Sequence, residues 1–309
     1  MASTTQKTLD ILRLWYRYMQ VTVPGSMRIL ARRSLNLPVK IFGPSSPPLP
    51  SSSSSSSSSS AAAAAASSSS SSSFFFSSSS SSPSSSSILP SLCLPYTISN
   101  PTIHVEMQKL ARLQRSSLGI SCNIVDANRG HYPSHLGPYI FVLLNQCSLI
   151  ESMIVTEIPI PFVTFANVEY LCLPFVGWLC AAAGTIPVVR GWSRQTRYAV
   201  WRASTFLQED RAHAIYMSVE GQRSPDGNLS RYRMGCARIA LSAQATIVPM
   251  IIDGARECLP FGSWRLNPGP CELVFLPYLS TRGLQQDSRE TAVDLTQNLR
   301  ALARQHLGK

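Results

Sequence analysis

The run Ser218-Val219-Glu220-Gly221-Gln222-Arg223-Ser224 sets a carboxylate and a guanidinium three residues apart with a glycine between them. The apolar stretch before it, His213 to Met217, has the character of a strand, and a basic loop carrying Arg231 and Arg233 follows. Glycine lets the backbone turn sharply, and arginine offers a planar fork of donors to phosphate oxygens. This is the chemistry of a phosphate-handling turn. Taken alone, it is equally a surface turn closed by an ion pair.

Three other blocks bear on that choice. Asn145-Gln146-Cys147-Ser148-Leu149-Ile150-Glu151 follows the apolar run Tyr139 to Leu144. Gly184-Thr185-Ile186-Pro187-Val188-Val189-Arg190 is a short strand ending in arginine, and Ile247-Val248-Pro249-Met250-Ile251 lies downstream. In this order and spacing the four blocks resemble the glycerolipid acyltransferase family, which includes lysophosphatidic acid acyltransferases. Its usual blocks are N-H-x-S-x-x-D, G-x-x-F-x-x-R, F-P-E-G-x-R-S and V-P-V. The stretch Phe162 to Trp178, with Pro174 and Gly177-Trp178, is similar to the family's too. The resemblance spans Gly119 to His306.

In that family a glycerol hydroxyl attacks the thioester of an acyl donor, CoA or acyl carrier protein. The histidine of the first block takes the hydroxyl proton and the aspartate five residues on orients the imidazole, a triad whose serine is the substrate. Here the histidine position is Gln146 and the aspartate position is Glu151. A glutamine amide does not titrate and cannot act as a base. None of the five histidines (104, 131, 135, 213, 306) has a carboxylate five residues later, so no displaced copy of the pair exists. Losing a positioned base costs on the order of 10²- to 10⁴-fold in rate.

Three replacements are open. Glu151, flanked by Leu149, Ile150, Met153 and Ile154, would have its pKa raised by burial and could serve as the base itself. His131 or His135 could fold over the site. Cys147 could carry the acyl group, activated by a helix N-terminus. Each has a structural alternative: a remnant or salt-bridge partner, loop histidines, a small core residue. In the remaining blocks Arg190 follows Val189 where the family has an acidic or amide residue, and Ser218-Val219 replaces Phe-Pro. By resemblance, Arg190 and Arg223 would hold the acceptor's phosphate, and Glu220 and Gly221 would shape its pocket. The expected function is transfer of an acyl chain from acyl-CoA to a lysophospholipid such as lysophosphatidic acid. The alternative is an impaired family member that binds lipid or acyl-CoA without turnover. No cofactor is expected, acyl-CoA being a co-substrate.

Composition suits such a role. A net charge of +11 over 309 residues and a pI of 9.6 favour anionic partners. No helix-turn-helix, zinc-finger or aromatic RNA-binding signature is present, so no nucleic-acid partner is expected. The eight cysteines form no C-x-x-C pair, which points to free thiols and no metal site.

These chemical residues need a frame to hold them. Apolar runs at 120–125, 139–144, 162–166, 186–190, 214–218, 246–252 and 273–276 read as strands. Helical patterns begin near Ser148, which can cap, at Ser193, after Gly235, and over Ala292, Leu295, Leu299 and Leu302, with Gly308 beyond the end. This alternation predicts an α/β fold with a mixed, largely buried sheet flanked by helices, the resemblance implies the same, and active residues then stand in loops at strand ends. The domain covers 119–309, preceded by a connecting segment, 91–118. Leu171 to Val189 lacks charge, but its prolines and glycines argue for a buried helix, a turn and a core strand rather than a membrane span.

Residues 43–90 are a low-complexity serine, alanine and proline linker, unable to bury enough apolar surface to offset its chain entropy. In residues 1–42, Leu9, Leu12, Trp15 or Tyr16, Met19 and Val23 recur at helical spacing beside Lys7, Arg13 and Arg17, and Pro24-Gly25 ends the pattern. Three readings stand: an amphipathic helix on an anionic bilayer, an organelle transit peptide, or a helix packed on the domain. The expected location is a membrane surface, at the endoplasmic reticulum facing the cytosol, with mitochondrion or plastid as alternatives.

Overall fold

Tyr139–Leu143 (β2) is buried along its whole length, and its side chains divide between two cores. Tyr139, Phe141 and Leu143 face one way and Ile140 and Val142 the other, as the two-residue period of a strand requires. A strand that is apolar on both faces belongs in the middle of a parallel sheet. Here β2 lies between β5 (Ala214–Ser218) and β6 (Thr246–Asp253), parallel to both. The computed structural model describes residues 101–308 apart from 173–176, 178, 181–182, 190–192, 210–213 and 287, without the side chains of 193 and 194. The amphipathic segment 1–42, the linker 43–90, Arg190 and His213 therefore lie outside the described residues.

The sheet continues through β3 (Phe162–Asn167) and β4 (Ile186–Val188) on one side, and β7 (Gly269–Phe275) and β1 (Ile120–Asp126) on the other. The order is β1-β7-β6-β2-β5-β3-β4, and β8 (Leu279–Ser280) pairs with β6. All neighbours are parallel except β6, which is antiparallel to β7 and β8, so the sheet is mixed, as expected. Helices α4 (Ser193–Glu209), α5 (Gly235–Ala243) and α7 (Arg289–Leu307) cover one face through Ala203, Leu207, Ala240 and Leu299. The other face packs α2 (Glu151–Ile154) and α6 (Ala255–Cys258) through Ile150, Ile154, Ala255 and Cys258. A further short helix, α3 (Val168–Leu171), follows β3. Ser288 caps α7, its Oγ accepting the Thr291 N–H at 3.1 Å, and Gly308 ends it at φ +63°.

Two elements differ from expectation. The connecting segment contains a seventeen-residue helix, α1 (Pro101–Ser117), anchored where Arg112 and Arg115 both pair with the buried Glu157. The helix expected from Ser148 begins only at Glu151 and runs for four residues into a 3-10 turn, Val155–Glu157. Among the described residues no helix is long and apolar enough to cross a membrane.

Candidate active site

β2, β5, β3 and β4 run parallel, so their carboxyl ends open on one edge of the sheet, where ligands of open α/β folds bind. The loop after β2 is fixed there by Asn145. Its amide donates to the Ile252 carbonyl at 2.7 Å and accepts the Ile252 N–H at 3.0 Å. The loop after β5 is laced to it. The Gln146 N–H donates to Glu220 Oε2 at 3.0 Å, and the Ser224 N–H donates to the Gln146 carbonyl at 2.6 Å. These bonds use the backbone of Gln146, and the residue lines the cavity beside the loop.

Glu151 is 1 % exposed. One oxygen, Oε1, accepts the N–H groups of Cys147 (2.7 Å) and Ser148 (2.9 Å) and the Cys147 thiol (3.1 Å). The other, Oε2, is buried with no partner. Glu151, the first residue of α2, reaches back to cap the N–H groups that precede the helix. Ser148 Oγ accepts the Ile150 N–H at 3.3 Å and donates to the Leu259 carbonyl at 2.8 Å. Glutamate's extra methylene over aspartate gives it this reach. Burial, aided by the nearby charge of Glu220, pushes the Glu151 carboxyl up to about 7, the bonds from Cys147 and Ser148 opposing.

Glu220 is equally buried, but both of its oxygens are filled: Oε2 by Gln146 and Oε1 by the Ser230 N–H at 2.6 Å. It clasps three loop segments together, and burial raises its pKa. Gly221 follows at φ +68°, a conformation that favours glycine, and a Cβ there would stand 3.2 Å from Arg233 Cδ. Arg223 lies with Cζ 5.0 Å from the centre of the Phe261 ring, a cation–π contact, and lines the cavity.

Gln146, Glu151, Gly221 and Arg223 line one cavity of about 1480 Å³. That exceeds the usual single-ligand range of about 300–1,000 Å³. Glu220 lines a neighbouring groove instead. Val188 and Val189 line the main cavity, and Arg190, the next residue, lies outside the described residues. The candidate bases at His131 and His135 line neither cavity, and His131 is exposed. Cys147 does not fit a nucleophile: burial and the Glu151 carboxylate push its thiol up, away from the thiolate. One histidine that does line the cavity, His104 on α1, belongs to none of the four sequence blocks. Its Nε2 lies 3.0 Å from the Ile158 carbonyl, and burial lowers its pKa. The signal that could have found α1 is Ile103, Met107, Leu110 and Gln114 at helical steps. Among the described residues no group of three or more potential metal ligands occurs.

Residues 148–253 match the Acyltransferase family. The chain is 26% identical over 196 residues to the 1-acyl-sn-glycerol-3-phosphate acyltransferase alpha of Ovis aries, covering 62% of this chain and 67% of that protein. The Homo sapiens protein of the same name matches at the same identity, with 68% of it covered. The 1-acyl-sn-glycerol-3-phosphate acyltransferase of Limnanthes alba is 30% identical over 138 residues, covering 44% of this chain and 49% of that one. The fold is that of the 1-acyl-sn-glycerophosphate acyltransferase of Thermotoga maritima, with a TM-score of 0.53 at 20% identity over 67% of this chain and 80% of that one.

Proposed function

We propose, for a chain that belongs to the glycerolipid acyltransferase family, that it transfers an acyl group from acyl-CoA to a lysophospholipid such as lysophosphatidic acid, at a membrane surface, with Glu151 in place of the missing histidine. The observation that carries this reading is the unpartnered Oε2 of a carboxylate raised to about 7 in the wall of the cavity. A base should titrate near the operating pH. In this scheme Glu151 Oε2 takes the proton of the glycerol hydroxyl as its oxygen attacks the thioester carbon. The C–S bond then breaks, and the proton passes to the departing thiolate. Gln146 offers its amide N–H₂ to the charge that develops on the carbonyl oxygen. Arg223, with Arg190 by resemblance, holds the acceptor's phosphate, and Gly221 lets the backbone come close to it. Membrane contact falls to the basic, apolar-striped segment 1–42.

The test uses the full chain in membranes with labelled acyl-CoA and a panel of lysophospholipids. The expected result is labelled diacyl product, reduced by about 10²- to 10⁴-fold in Glu151→Gln. Glutamine keeps the Oε1 acceptor of the cap, so the fold is spared. A second reading, binding without turnover, draws on the untitratable amide at Gln146. Saturable ligand binding with no product from any lysophospholipid would establish it.

A further inference from the structure

Beside the main cavity lies a groove of about 730 Å³ between the 229–234 loop and α7. Arg231, Arg233, Arg289 and Arg300 line it, against one carboxylate, Glu220. That carboxylate is already engaged by two backbone N–H groups. Among the described residues none of the four arginines is in an ion pair. The Nε of Arg300 is buried without a hydrogen-bond partner, its guanidinium 5.9 Å from the centre of the Tyr232 ring. Arg233 Nε donates to the Glu220 carbonyl at 3.2 Å, but four guanidiniums gathered around one carboxylate still repel one another, and a buried donor without a partner costs free energy. A bound polyanion relieves both, and arginine forks match phosphate oxygens.

We infer that this groove binds the nucleotide phosphates of the acyl donor. The two cavities share Gln222, Arg233, Met234 and Arg289 as a common wall, so one long ligand can occupy both. None of Gln146, Glu151 or Arg223 lines the groove. A lysophospholipid carries its phosphate beside the attacking glycerol and needs it held near Glu151. Acyl-CoA carries its phosphates at the far end of the pantetheine arm, so a phosphate site set apart from the base suits the donor. The inference rests on the acyl-CoA reading above.

Binding of CoA, CoA lacking its 3′-phosphate, adenosine 3′,5′-bisphosphate, pantetheine and inorganic phosphate to the full chain tests it. Arg231→Gln with Arg289→Gln is the variant, since both residues are exposed and their replacement spares the core. The wild type should bind CoA, with the bisphosphate competing and pantetheine failing to compete. Removing each charge-assisted hydrogen bond should weaken binding about tenfold. A variant that binds CoA as tightly as the wild type overturns the inference. So does competition by inorganic phosphate at the concentration at which CoA competes, which marks a simple phosphate pocket. Arginine-dependent capture of phosphatidic acid vesicles, with CoA unaffected, also overturns it in favour of a lipid headgroup. Arginine-dependent CoA binding without turnover leaves the groove standing and the catalytic reading fallen, and turnover without arginine dependence does the reverse.

Discussion

Two buried glutamates stand just beyond the ends of neighbouring parallel strands, Glu151 after β2 and Glu220 after β5, and the backbone treats them differently. Glu220 has a backbone N–H on each oxygen and joins the loop of Gln146 to the loop of Ser230. Glu151 has its donors crowded on one oxygen while the other is buried without a hydrogen-bond partner among the described residues. Burial raises the pKa of both. The same residue type, buried to the same degree, thus serves two ends. Where each oxygen is met by a fixed N–H, the carboxylate is part of the frame. Where one oxygen is left over, the proposed chemistry gives it the substrate proton.

The largest effect should come from cutting the frame. Glu220→Ala leaves the Gln146 and Ser230 N–H groups without acceptors, at roughly 2 kcal/mol each, so denaturant unfolding should show a loss of about 4 kcal/mol. A loss below about 1 kcal/mol would erase the contrast between the two carboxylates. Next comes Glu151. Its pKa stands at about 7 in the folded chain against 4.5 unfolded, so the folded state holds the proton more tightly. Stability from this group is therefore complete below 4.5 and lost as pH rises through 7, about 3 kcal/mol in all. Stability of the wild type should fall across that window, and Glu151→Gln should remove most of the slope. The slope left by Glu220, raised in the same direction, remains in the variant. A wild type equally stable at pH 5 and pH 8 contradicts the assignment.

The smallest expected change is a gain. Gln146→His with Glu151→Asp restores the family's pair on a backbone already fixed by Asn145 and Glu220. Acyl transfer should rise at least about tenfold, and both changes are needed because an unoriented imidazole gains less. No gain would mean that the acceptor pocket has also decayed.

The strands are legible in the sequence because their apolar runs are long and two-sided, as at Tyr139 to Leu144 and Thr246 to Ile252. β7 starts four residues earlier than its apolar run, at Gly269-Pro270. Pairing with Ile120 and Ser121 of β1 draws in residues that composition reads as a turn. α1 is hard to see because its burial is shared among Ile103, Leu110, Gln114 and Arg115, polar and apolar alike. In the site, the substitution at Gln146 and the candidacy of Glu151 are visible in the sequence. What the sequence does not carry is how the oxygens of Glu151 and Glu220 are shared out, because that depends on N–H groups from loops as distant as Ser230. The arginine groove is half visible. Arg231 and Arg233 stand out beside the Glu220 block, while Arg289 and Arg300 join them only through the packing of α7.

The free oxygen of Glu151 is the centre of the proposed chemistry, and the pH dependence of kcat for acyl transfer to lysophosphatidic acid tests it most directly. The wild-type rate should climb with pH through about 7 and level off above it, as the carboxyl gives up its proton. Glu151→Gln should lose both the rate and the inflection. A rate that is flat from about pH 5.5 to about 8.5, or an inflection that survives in Glu151→Gln, would contradict it.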